Sequence, residues 1–322
     1  MDNPADECDH KLVRSLAIVD ARRRPQELDT QQEGTMATFS IHFDGSITNE
    51  HRLPLRVMAK TYEHMQRALD RAYLVQKYGE VWKHARLTDA QYAETEFIAE
   101  WPREGGVVLD AVRRGSSALM DTLYAAVQPV FERSAQQGLE QAESLRDQIV
   151  ARRDYVSGVR RRTKRFDELA QTPPTDWAIA YSNRSVVKEI DQMVMQIAPE
   201  RYDGSTVVIQ LQGTRWHPAL EFDQARAKRF HTAASWRELA APVVVEGRIR
   251  SLDSGNRFSK PKAKILNLAT DREVTLHLSS EADFLALHPF HTADSVTLYV
   301  CPVLEAGGFD LHGGDLQFLA VA

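Results

Sequence analysis

Cysteine is nearly absent from this chain: two occur in 322 residues, Cys8 and Cys301, far apart in sequence. That scarcity excludes a disulfide framework as the source of stability, and a bond between these two is not expected, since one falls in a tail and the other in an alternating strand. No apolar run reaches the roughly 18 residues that a spanning helix needs. The first residues also lack the basic-then-apolar order of a secretory signal. We therefore expect a cytoplasmic location and no membrane partner. Charge of one sign is not in excess either. A net charge of -5 at pH 7 argues against a protein that coats nucleic acid along its whole surface.

Catalytic signatures are missing as well. There is no nucleophile elbow, Walker loop, His-Glu-x-x-His, Cys-x-x-Cys pair or dinucleotide glycine fingerprint. Gly105-Gly106 has no Gly-Lys-Ser or Gly-Lys-Thr after it and leads into a strand pattern, unlike a phosphate loop. Cys8 with His10, and His288 with His291, have ligand chemistry but no third and fourth partner nearby, so no metal and no other cofactor is expected. Asp44, Glu96, Glu100, Glu104 and Asp110 remain as carboxylates of the first half. Converging, they would suit a metal-dependent nuclease; otherwise Asp44 makes a turn and the others line the solvent face of a sheet.

What is present reads as an ordinary globular chain, with 43% hydrophobic and 26% charged residues, longer than one core usually serves. Residues 1–35 hold Arg22-Arg23-Arg24-Pro25 and a polar run to Gly34. They are expected to form a disordered arm or to precede a true start at Met36. Phe39, Ile41 and Phe43 then alternate up to Asp44-Gly45, and with Ser46, Ile47 and Thr48 beyond, the pattern predicts a hairpin. Pro54 opens a helix whose stripe of Leu55, Met58, Tyr62, Met65, Leu69 and Tyr73 recurs at three and four and stops near Gly79. Phe97, Ala99 and Trp101, a turn over Pro102-Arg103-Glu104-Gly105-Gly106, and Val107, Leu109 and Ala111 predict a second hairpin. An antiparallel sheet with a packed helix places the chain in the α+β class.

A helical middle follows, starting at Ser116 or Ser117 and running with breaks to Ala170, Pro129 marking a kink and Gly138 a joint. Thr172-Pro173-Pro174-Thr175 marks a hinge within residues 171–176. Val186 to Ile197 reads as a buried helix, Thr206 to Leu211 as a strand, and Gln224 to Leu239 as a helix. Tyr202-Asp203-Gly204-Ser205 echoes Phe43-Asp44-Gly45-Ser46, as two separate turns or as a duplicated hairpin. Residues 36–240 are thus expected to form one α+β domain with a helical middle, and 241–322 a second.

The second domain has the clearest pattern. Val243, Val245, Gly247 and Ile249 alternate with polar residues, and after the turn cluster Asp253-Ser254-Gly255-Asn256 come two short strands, Lys262 to Leu268 and Glu273 to Leu278. Ser279 or Ser280 caps a short helix, and Val296 to Cys301 and Leu316 to Val321 close the chain. Strand, strand, strand, helix, strand, strand in about 80 residues suits a five-stranded OB-type barrel.

Two basic groups are the candidate binding residues. Arg152, Arg153, Arg160, Arg161, Arg162, Lys164 and Arg165 crowd a helical stretch, as an ion-paired solvent face or as a phosphate-contacting one. In the barrel, Arg248, Arg250, Arg257, Lys260, Lys262, Lys264 and Arg272 fall between Val243 and Glu273 against four acids. From Val274 onward there is no lysine or arginine, and six acids: Glu281, Asp283, Asp294, Glu305, Asp310 and Asp315. The Leu252–Pro261 loop, basic and carrying Phe258, has the chemistry for a backbone contact plus one base stack. The acidic, glycine-rich loop of residues 305–315 has the opposite chemistry, so the barrel's dipole equally suits docking on a protein surface.

Ile41-His42-Phe43-Asp44-Gly45 and Pro102-Arg103-Glu104-Gly105-Gly106 resemble stretches of an uncharacterised bacterial α+β family of similar layout, over residues 38–170. The resemblance implies no activity and brings no catalytic residue. The expected function is a non-catalytic binding or adaptor protein that contacts nucleic acid, a protein partner or a second copy of itself. The alternatives are the metal-dependent nuclease and an assembly subunit of a multiprotein bacterial system such as phage defence.

Overall fold

The structure, a computed structural model, describes residues 36–48, 52–100, 107–114, 117–136, 144–159 and 163–322. The expected arm at 1–35, the turn at 101–106, Ser116, Gly138 and Arg160, Arg161 and Arg162 lie outside the described residues. In chain order, β1 (Met36–Asp44), α1 (Leu55–Tyr78), α2 (Asp89–Thr95), β2 (Ile98–Ala99), β3 (Val107–Arg114), α3 (Ser117–Arg133) and α4 (Leu145–Val159) come first. β4 (Lys164–Arg165), α5 (Phe166–Gln171), α6 (Thr175–Val194), β5 (Thr206–Gln212), β6 (Leu220–Asp223), α7 (Gln224–Ala234) and β7 (Arg237–Leu239) follow. The barrel elements are β8 (Val243–Asp253), β9 (Lys262–Asn267), β10 (Arg272–His277), α8 (Glu281–Leu287), β11 (Val296–Glu305) and β12 (Leu316–Val321). Among the described residues no helix is long and apolar enough to cross a membrane.

Alternation builds the first sheet. Ala37, Phe39, Ile41 and Phe43 of β1 all point to one buried face, with Val107, Leu109 and Ala111 of β3 and Val207, Ile209 and Leu211 of β5 beside them. The antiparallel order is β2-β3-β1-β5-β6. Helices cover this face. α1 turns Val57, Thr61, Met65, Ala68, Leu69 and Ala72 inward at helical spacing and ends at Gly79, which adopts φ 75° and donates its N–H to the Val75 carbonyl. That is the left-handed stop a glycine provides without strain.

The Asp44-Gly45 turn is present, at φ 84° for Gly45, but among the described residues 46–48 no return strand follows it. The partners of β1 are the distant β3 and β5, because a central strand needs apolar neighbours on both edges and Ser46 to Thr48 offers only one apolar residue. The echoed turns meet each other. Asp44 pairs with Thr206, so β1 ends where β5 begins. The Ser46 hydroxyl donates to the Asp203 carbonyl (2.6 Å), and the Ile47 N–H donates to Ser205 Oγ (2.8 Å). A Cβ on Gly45 would collide with the Gly204 carbonyl oxygen. The helical middle and the helix from Gln224 also need correction. Lys164 and Arg165 are not helical but pair in parallel with Val243 and Val244, and α7 stops at Ala234 so that Arg237 to Leu239 can pair with β11. Strands of two or three residues satisfy exposed sheet edges and leave too short a trace for any period to show.

The C-terminal strands close as β8-β9-β10-β12-β11 with β11 back on β8. Every pairing is antiparallel except β10 with β12, and α8 sits between β10 and β11. This is the OB order. Its interior is filled by Val245, Ile249, Ile265, Leu276, Leu298, Val300 and Phe318, and α8 starts at Ser280, whose hydroxyl accepts from the Asp283 N–H. α6 serves both cores. Val186, Val187, Ile190 and Met193 pack in the first, while Trp177 lies 5.6 Å from Phe309 in the second. The described residues form one compact unit.

Candidate nucleic-acid interface

Sorting of charge along the barrel sequence becomes sorting in space. Four of the six acids of its second half are held by the chain itself. Asp315 Oδ1 accepts from Lys83 Nζ at 2.7 Å, and its Oδ2 lies 2.9 Å from His277 Nε2. Asp310 Oδ2 accepts the Lys83 backbone N–H at 2.7 Å. Glu305 binds Arg184 at 2.7 Å and Arg237 at 2.9 Å. Both oxygens of Asp283 take Arg153 at 2.8 Å. The acidic loop after β11 is therefore a joint: Phe309 N–H donates to the Trp177 carbonyl (3.3 Å), and Gly308 lies against the backbone of Ala180 and Tyr181.

A second side of the barrel is closed by α4, whose Ile149 and Val156 pack on Tyr299, Cys301 and Leu319. Cys301 is a buried free thiol, and burial pushes its pKa up to about 12. What stays open is the outside of β8, β9 and β10, the side that OB barrels use for oligonucleotides. Arg248, Arg250 and Lys262 are exposed there and Lys264 is half-buried. A bulge at Arg250 shifts the register so that Ser251 faces Lys264 and Asp253 faces Lys262. On the next strand Thr275 faces Lys264, accepting from its Nζ at 3.0 Å, and His277 faces Lys262. Glu246, Asp253 and Glu273 share this side, Lys262 standing 3.9 Å from Asp253.

Beside it rises the loop from β8 to β9. Asp253 Oδ1 accepts from the Gly255 N–H (2.8 Å), and Asn256 Oδ1 from the N–H groups of Phe258 (2.8 Å) and Ser259 (3.1 Å). Gly255, at φ 75°, has no room for a Cβ, which would collide with the Ser259 carbonyl oxygen. These Asx bonds set the tip without help from the rest of the fold. Phe258 stands 83% exposed at this tip with the Arg257 guanidinium 4.3 Å from its ring centroid, and Lys260 is exposed next to it.

The expected basic helix contributes differently. Arg152 donates to the Leu239 carbonyl and Arg153 to Asp283, so both fasten α4 to the barrel. Lys164 and Arg165 sit exposed on β4, with Arg165 3.3 Å from Asp167 and 3.8 Å from Glu246. Asp44 and Asp110 do not converge. Asp110 pairs with Ser40, four residues back from Asp44 along β1, a separation of about 13 Å at strand rise. Among the described residues no three His, Cys, Asp or Glu side chains are placed to share a metal ion, His288 and His291 included; Glu104 lies outside them. His217, buried and stacked on Tyr124, pairs with the half-buried Asp121 (2.6 Å) and fixes the loop at 213–217. His217 Nδ1 is buried without a hydrogen-bond partner.

The joint titrates. Burial favours the neutral form of Asp315, but the hydrogen bonds from His277 and Lys83 outweigh it and hold the carboxyl well below the usual range. A depressed carboxylate contributes stability that is present above its unfolded pKa, about 3.9, and lost as pH falls through the folded value. Asp315→Asn is thus expected to lower the unfolding midpoint at pH 7 and to shrink the difference from the parent below about pH 4, as a urea-melt series at several pH values would reveal. A constant difference across that range would contradict the pairing.

Comparisons with protein-family models, with curated proteins and with solved structures find no match to this chain.

Proposed function

We propose that this protein is a non-catalytic binding module that takes single-stranded nucleic acid across the outside of β8, β9 and β10, with Phe258 stacking on one base. The observation that carries the reading is the Phe258 tip, an exposed aromatic on an Asx-fixed basic loop beside the open basic face. An aromatic presented this way costs water contact and serves no core, whereas a base face would cover it. The cations of β8 and β9 supply the phosphate contacts, and Thr275 and His277 the polar floor. Arg160, Arg161 and Arg162 belong to the proposal as a second contact group.

The test is binding of the purified chain to labelled single-stranded DNA, single-stranded RNA and duplex over a salt series. The reading requires a preference for single strands and an affinity that falls steeply with salt. Phe258→Ala should weaken single-strand binding by about 5- to 100-fold, the worth of one base stack, with melting unchanged because the side chain packs on no core. No binding at low salt would end the nucleic-acid reading and turn the search to protein partners.

A further inference from the structure

We propose that the cleft between α6, residues 79–88 and the docked barrel loop binds a small organic anion of mononucleotide size. The cleft encloses about 400 Å³, within the roughly 300–1,000 Å³ usual for small-molecule sites. Its acids are already occupied. Glu305 is shared by Arg184 and Arg237, Asp315 by Lys83 and His277, Asp310 by the N–H groups of Lys83 and His312, and Glu189 is held by His64.

Several donors are left over. Lys188, the His84 ring and the Tyr181 hydroxyl line the cleft and make no hydrogen bond or ion pair with any described residue. Arg184 Nε has no acceptor among the described residues, and Arg71 donates to the Ala85 carbonyl. A concave wall rich in open donors, whose acceptors are spent, is complementary to an anion. Phosphate alone would leave most of the volume empty. Trp82, 42% exposed on the rim, offers a ring face, and the cleft floor reaches the edges of the buried Val303 and Phe309. Together these match a planar base joined to a phosphate. His84 is held at φ 67°, a left-handed conformation that is strained for a non-glycine residue and concentrates at ligand clamps.

Isothermal titration of the full chain with each of the four ribonucleoside monophosphates, with ATP, with adenosine and with inorganic phosphate tests the assignment. Saturable binding of at least one nucleotide is expected, with adenosine and inorganic phosphate each at least about tenfold weaker. Lys188→Glu, an exposed position, should weaken the nucleotide about tenfold or more, and Tyr181→Phe about fivefold, each on the scale of one lost charged or neutral hydrogen bond. Lys262→Glu with Lys264→Glu should leave it unchanged, which separates this cleft from the barrel face. Absence of any nucleotide binding up to millimolar concentration overturns the proposal. So does equal affinity for inorganic phosphate, or insensitivity to both cleft variants.

Discussion

Lys262→Glu combined with Lys264→Glu is expected to lower affinity for single-stranded nucleic acid on the order of 100-fold near 0.1 M salt. Each phosphate contact on a single strand contributes roughly 0.7 to the slope of log affinity against log salt, so losing two should flatten that slope by about 1.4. Reversal adds repulsion on top of the lost attraction. The effect is large because four of the six acids of the barrel's second half are held by the chain's own donors, leaving these lysines, Arg248 and Arg250 to dominate the open side. Neither lysine is needed for folding: Lys262 is exposed with only a 3.9 Å approach to Asp253, and Lys264 gives up one bond to Thr275. Circular dichroism and melting should be near those of the parent. Unchanged affinity and slope in a folded double variant would exclude the β9 face as the contact surface.

Gly308→Ala is expected to destabilise the protein by about 2–3 kcal/mol, the upper part of the range for overpacking. A Cβ at this position would overlap the Tyr181 backbone nitrogen and lie 2.5 Å from the Ala180 carbonyl carbon. Both are helix backbone, so no rotamer change relieves the contact. The loop cannot lift from α6 without stretching the bonds from Arg184 and Arg237 to Glu305 and from the Lys83 N–H to Asp310. Gly307 is the control. It has open space around a Cβ and only its φ of 82° against it, so Gly307→Ala should cost about 1 kcal/mol. Urea midpoints of the two variants settle the matter; a Gly308→Ala protein as stable as the parent would mean that the barrel loop does not rest on α6.

Much of this molecule could be read from local pattern. β8, β9 and β10 show because one face of each is more buried than the other, which forces a period of two, while β11 and β12, buried on both faces, show as short apolar runs. The stop of α1 at Gly79 and the cap of α8 at Ser280 show because helix ends must satisfy their own backbone groups with nearby residues. The Leu252–Pro261 loop was legible as basic and aromatic for the same reason, since its Asx bonds span only two or three residues. Partners far apart in sequence were not legible. Asp44-Gly45 carries a local turn signal, yet the strands beside β1 come from residues 107–114 and 206–212, selected by apolar area that no local window contains. β4 and β7 are edge additions whose length hides any period.

Charge divides the same way. Composition alone determined that the barrel's first half is basic and its second half acidic. Which of those charges remain open was decided by the tertiary structure, through contacts as distant as Lys83 with Asp315 and Arg184 with Glu305. A side chain's type is local, but its exposure depends on what the whole chain packs against it. The donor-lined cleft, assembled from α1, the loop after it, α6, β7 and the barrel, therefore exists only once the chain has folded.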